Sequence, residues 1–77
     1  MQILIQLHYI INGGKLLQQG DFKVNERNYK LDPDKEATRV AYKWYREVKR
    51  AYIYEVELHK VIYNQIDITE KVKALSF

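Results

Sequence analysis

The chain has 77 residues, a formal net charge of +3 at pH 7, 47% hydrophobic residues and no cysteine. This length gives room for a single small domain, residues 1–77, and the apolar content excludes a disordered chain. Because cysteine is absent, disulfides, thiolate zinc sites and cysteine nucleophiles are excluded as well.

Polar and apolar side chains alternate along residues 2–11, which predicts a strand with one buried face. This hydrophobic N-terminus has no basic region before it and carries polar residues within it, so it does not resemble a secretion signal. It is also too short to span a bilayer. We therefore expect a cytoplasmic protein without membrane association. The inward set of the strand is Ile3, Ile5, Leu7, Tyr9 and Ile11.

A β-hairpin is predicted at Asn12-Gly13-Gly14, since tight primed turns need residues that tolerate a positive φ. A two-residue turn at either Gly13-Gly14 or Asn12-Gly13 keeps the same apolar residues on the inward face, with a shift along the strand. A three-residue loop would turn the apolar residues of the second strand outward and is rejected. The second predicted strand covers residues 15–24.

After a polar connection at residues 25–31, one amphipathic helix is predicted over residues 33–51. Asp32 is the expected N-cap, and Pro33 suits the first helical position, where its missing N–H costs nothing. The stripe expected to pack on the core consists of Ala37, Val40, Ala41, Trp44, Val48 and Ala51.

From Tyr52 the alternation returns, which predicts a third strand over residues 52–63 with Tyr52 and Tyr54 among its inward residues. Two neighbouring apolar residues after Lys60 break the alternation and predict a bulge or a two-sided environment there. The tail, residues 67–77, fits either a short helix or a strand, and the helix is favoured.

The predicted fold is an α+β two-layer sandwich with the element order β-β-α-β and a short C-terminal helix or strand. A right-handed crossover gives a three-stranded antiparallel sheet of order 2-1-3, packed on the one amphipathic helix. We expect Trp44 and Val48 of this helix to cover Ile5, Leu7 and Phe22.

The outer face of this sheet is unusually apolar for a solvent-exposed surface. We expect five apolar side chains on this face to form a patch of a few hundred Å². A patch of this size needs a cover, either from the tail or from another protein. The sequence therefore favours a small non-enzymatic binding module, a protein-interaction or self-associating domain with a protein partner or a homodimer. The five predicted interface residues are Leu4, Ile10, Leu17, Ile53 and Val61.

An alternative is a non-specific nucleic-acid-binding accessory protein that uses the basic face of the helix. Cations recur there at helical spacing and could neutralise phosphates, and Tyr42 and Tyr45 at its edges could stack on bases. A helix also needs a solvated outer face, and Lys and Arg serve that purpose. The predicted nucleic-acid-binding residues are Arg39, Tyr42, Lys43, Arg46, Lys49 and Arg50.

Catalytic and metal-binding patterns are weak. His8 and His59 point to the outer sheet face on neighbouring predicted strands, but a zinc site needs a third protein ligand at a defined spacing. Ser76 is the only serine and has no evident base beside it. We therefore expect no enzyme activity, no metal, no cofactor and no small-molecule substrate.

Overall fold

The computed structural model describes residues 1–75, in which one antiparallel sheet has the strand order β2-β1-β3-β4. The α+β class is confirmed, and the sheet has four strands where three were predicted. In chain order the elements are β1 (Gln2–Ile11), β2 (Gly14–Lys23), α1 (Glu26–Leu31), α2 (Pro33–Ala51), β3 (Val56–Tyr63), β4 (Ile66–Asp67) and α3 (Thr69–Leu75).

The hairpin between β1 and β2 turns at Asn12-Gly13, which decides between the two predicted registers. Asn12 and Gly13 have φ angles of 51° and 81°, a region that asparagine and glycine tolerate. Ile11 lies opposite Gly14, and the ladder continues without interruption to Gln2 opposite Lys23. The inward face of β1 is therefore the predicted one.

Residues 26–31 form a short helix, α1, where the sequence predicted only a polar connection. The Asn25 side chain caps it by accepting a hydrogen bond of 3.0 Å from the Asn28 backbone N–H. Asp32 ends α1, since its N–H donates to the Asn28 carbonyl at 2.9 Å. The same residue caps α2 by accepting from the Lys35 N–H at 3.2 Å, and Pro33 begins α2 as predicted.

The buried side of α2 agrees with the predicted stripe except at three positions. Trp44 is half-buried, and its ring packs on Phe22 with 4.6 Å between ring centroids. Ala51, the last residue of the helix, is exposed, whereas Tyr45 is buried. The stripe is thus rotated toward Tyr45, whose hydroxyl donates a hydrogen bond of 3.0 Å to the Val56 carbonyl.

The third strand begins at Val56, so the prediction of a strand from residue 52 is wrong. Residues 52–55 form the connection from the end of α2 to the sheet, and Tyr54 is exposed. Tyr52 is also largely outside the core, although its hydroxyl lies 3.3 Å from that of Tyr9. Tyr9 is buried as predicted, and its burial, together with the hydrogen bond between the two hydroxyls, raises its pKa to about 12.

The predicted break in β3 is a bulge at His59. Leu58 lies opposite Tyr9 and Lys60 lies opposite His8, so His59 is one extra residue in the ladder. Beyond the bulge, Val61 faces inward and is 0% exposed.

The tail forms β4 and α3, with Ile68 and Val72 buried in the same core as α2. The favoured helix is therefore confirmed as far as Leu75, and the last two residues of that prediction lie outside the described part. Because α3 packs on α2 and β3, it shares the side of the sheet that α2 occupies. As far as Leu75, the tail therefore does not cover the outer sheet face, and that part of the prediction is wrong.

Candidate protein-interaction face

Strand β2 lies at one edge of the sheet, where its outward backbone groups have no neighbouring strand within residues 1–75. The strand has ten residues, and all of them are exposed except Gly20 and Phe22, which are half-buried. Leu16 on its inner face is 45% exposed, and Leu17 on its outer face is 55% exposed. Apart from the contact of Trp44 with Phe22, α2 packs over β1 and β3, so most of β2 is exposed to solvent on both faces and along one edge.

The opposite edge of the sheet is protected. At Val61 the N–H donates to the Thr69 hydroxyl at 2.9 Å, and the carbonyl accepts from the Ile68 N–H at 3.0 Å. The Val56 carbonyl is occupied by Tyr45, and the bulge at His59 interrupts the ladder. A bulge and a covering element are two of the ways by which proteins protect a sheet edge. β2 has neither of these, nor a proline, and its register is regular.

The outer face of the sheet holds three of the five predicted interface residues. Leu4 and Leu17 are exposed there and Ile10 is half-buried. Val61 is not on this face, because the bulge turns it into the core, and Ile53 is not on the sheet at all, since it is 93% exposed in the connection after α2.

Ile62 takes the outer-face position that the alternation predicted for Val61. It lies opposite Gln6 and is half-buried. Two adjacent apolar residues after Lys60 were the only signal, and they could not tell which of the two faces outward until the bulge was located.

His8 lies in the middle of this outer face, between Leu17 on β2 and Lys60 on β3. Its Nε2 atom is buried and has no hydrogen-bond partner in the described part of the chain. His59 is exposed in the bulge. Within residues 1–75, no group of three or more His, Cys, Asp or Glu side chains is placed to hold a metal ion.

The basic face of α2 is divided by one structural ion pair. Arg39 donates two hydrogen bonds, of 2.8 and 2.7 Å, to the Glu36 carboxylate, which is buried and also accepts from the Asn25 N–H at 2.7 Å. The Arg39 bonds hold the pKa of the Glu36 carboxyl below its ordinary value, and the pKa of Arg39 is raised in turn. Glu36 therefore joins α2 to the start of α1, and Arg39 pairs with its carboxylate.

Tyr45 cannot stack on a base as predicted, because it is buried and hydrogen-bonded to Val56. Tyr42 is half-buried, with the Arg46 guanidinium 5.9 Å from its ring centroid. Lys49 lies 5.4 Å from the ring centroid of Tyr45. Four of the predicted nucleic-acid-binding residues, Lys43, Arg46, Lys49 and Arg50, are exposed and have no ion pair within the described residues.

A cleft of about 710 Å³ lies among α1, α2 and α3, with Leu31 and Leu75 on its walls. Its ionisable groups include Glu36 and Lys71, which are paired with Arg39 and Asp34. The Lys71–Asp34 pair connects α3 to α2, and the Glu36–Arg39 pair lies within α2, so these cleft groups carry structural contacts.

None of the helices within residues 1–75 is both long enough and apolar enough to cross a membrane. Comparisons of the chain with protein-family models, curated proteins and solved structures gave no match.

Proposed function

We propose that the protein is a small non-enzymatic protein-interaction module that binds through β2 and the adjoining outer face of the sheet. The observation that carries this proposal is the state of β2, a regular ten-residue edge strand exposed on both faces. An incoming strand can pair with the free backbone groups of such an edge, which gives affinity through main-chain hydrogen bonds.

The side chains around this edge supply apolar contact area beside the backbone bonds. Leu16 and Leu17 are about half exposed on opposite faces of β2, and Leu4 is 38% exposed on the neighbouring strand. Burial of such side chains contributes roughly 25 cal/mol per Å² of apolar surface removed from water. A strand added beside β2 would therefore cover leucines on both faces of the sheet.

Photo-crosslinking tests the proposal. A benzophenone amino acid replaces Leu17 in one variant and the exposed Lys43 of α2 in a matched control, in cells that produce the protein naturally. We expect protein adducts from position 17 and none from position 43. Protein adducts that form at position 43 alone, or at neither position, would contradict the proposal.

Binding of nucleic acid through α2 is a second candidate, supported by the exposed cations Lys43, Arg46, Lys49 and Arg50, which have no ion pair among residues 1–75. The contact would be non-specific, through phosphates. Fluorescence anisotropy with short DNA and RNA at two salt concentrations tests it. Binding that weakens steeply with salt, and that the double variant Lys43→Glu/Arg46→Glu loses, is the expected result. Affinity that survives these substitutions excludes this helix face.

A further inference from the structure

We infer that the partner of β2 is a second copy of the same chain, paired antiparallel through β2 with Gln18 on the two-fold axis. This inference rests on the proposed function and names its partner. In this arrangement Lys15 of each copy lies opposite Asp21 of the other.

The symmetry of the pair limits the registers available. In a sheet that continues from one copy to the next, residues directly opposite each other must project from the same face. The outer face of β2 carries its odd-numbered residues, because they pair with the outer-face residues of β1, as Leu17 does with His8. Two copies of β2 can therefore be centred on a residue such as 17, 18 or 19, and each choice shifts the partners by two.

Charge distinguishes these three registers. A pair centred on Gln18 places Lys15 opposite Asp21 twice, once on each side of the axis. A pair centred on Gln19 places Lys15 opposite Lys23, and two like charges directly opposite each other are destabilising. A pair centred on Leu17 moves Asp21 past the end of the strand, opposite Gly13 in the turn. Complementary charge thus favours the Gln18 register.

Side-chain size agrees with the same register. On the inner face Leu16 lies opposite Gly20, beside the Phe22 ring that lies over this glycine, and Phe22 lies opposite Gly14, which has no side chain. On the outer face Leu17 lies opposite Gln19 and diagonal to Leu17 of the second copy, a distance that long side chains can reach. The exposed leucines of β2 would therefore be covered on both faces.

The backbone hydrogen-bonding pattern of β2 also suits this pairing. Residues that flank a two-residue hairpin turn exchange hydrogen bonds, so the even-numbered residues of β2 direct their backbone groups to β1. The odd-numbered residues, Lys15 and Asp21 among them, then direct theirs to the free edge. The product is one continuous eight-stranded sheet, whose two remaining edges are those protected by β4 and α3. Such a contact uses the same patch on both copies and closes at the dimer.

Sedimentation equilibrium of the purified protein over a concentration series tests this pairing. We expect the average mass to rise from 9.3 kDa toward twice that value. Lys15→Asp and Asp21→Lys each place like charges opposite each other at two positions, so each alone should weaken dimerisation about tenfold or more. A mixture of the two variants restores both opposite-charge pairs, and we expect it to form heterodimers.

Lys23→Asp is the matched control, because it makes the same charge change on the same face at a position that meets only the turn of the second copy. It should dimerise like the natural protein. A mass of 9.3 kDa at every concentration would overturn self-pairing, and a mixture that stays monomeric would overturn the register centred on Gln18. The crosslinking experiment separates the two proposals, since adducts at position 17 with other proteins alone would sustain the interaction module and exclude the second copy.

Discussion

The Tyr63 hydroxyl donates a hydrogen bond to the Asp34 carboxylate, and so joins the end of β3 to the first turn of α2. Lys71 of α3 donates to the other carboxylate oxygen of Asp34 at 2.9 Å. Both bonds lower the pKa of Asp34, and the bond from Tyr63 has the larger effect. Burial and the bond to Asp34 raise the pKa of Tyr63. One carboxylate thus connects the sheet, the long helix and the C-terminal helix.

Tyr63→Phe removes the hydroxyl and keeps the ring, which is 1% exposed. We expect a loss of about 1 kcal/mol in the free energy of unfolding, because the bond is made to a charged acceptor that water still reaches. Urea denaturation measures this loss. Tyr54→Phe, at an exposed tyrosine, is the control and should leave the midpoint unchanged; an equal effect in both variants would argue against the role of Asp34.

Stability should fall on acidification. The pKa values of Asp34 and Glu36 are lower in the folded protein than their ordinary values of 3.8 and 4.5. Stability from such groups is complete above the ordinary pKa and is lost as the pH falls through the folded one. Urea midpoints between pH 7 and pH 2 should therefore decline below about 4.5, and the variant Asp34→Asn/Glu36→Gln should show a shallower decline. An identical pH profile for both proteins would contradict this assignment.

Glu36→Ala should be among the more destabilising substitutions in α2. It leaves the Asn25 N–H without its acceptor and Arg39 without its partner. We expect a loss of about 2 kcal/mol, moderated because Arg39 remains half in water. Chemical denaturation with Glu47→Ala, an exposed glutamate on the same helix, as control measures the difference. A loss no larger than that of the control would show that the Glu36 contacts contribute nothing.

Deleting His59 should be tolerated, since it removes the extra residue of the bulge and keeps Leu58 and Val61 facing inward. We expect a change within about 1 kcal/mol. Deleting Glu57 instead would bring Val56 next to Leu58 and force one of them outward, at a cost of roughly 2 kcal/mol. Thermal unfolding compares the two deletions, and equal losses would place the bulge elsewhere in β3.

The candidate interface was partly predictable. Leu4, Ile10 and Leu17 lie on the outer face because alternation along a regular strand decides their side, and that is a local property. Val61 faces inward and Ile62 faces outward because the bulge shifts the alternation by one residue. Only the pairing of β3 with β1 shows where this shift occurs. Arg39 stays exposed but is paired with the buried Glu36 three residues before it, whereas Tyr45 is buried because its hydroxyl bonds the Val56 carbonyl of β3.

The sequence by itself determined the hairpin, the inward face of β1 and the long helix with its Asp32 cap and Pro33 start. These features depend on residues within a few positions of one another, through backbone geometry, capping and periodicity. Only the tertiary structure decided the turn register, the late start of β3, the bulge at His59 and the placement of α3 beside α2. Each of those features depends on which distant groups can meet. Because β4 and α3 lie beside β3, β2 remains the uncovered edge of the sheet.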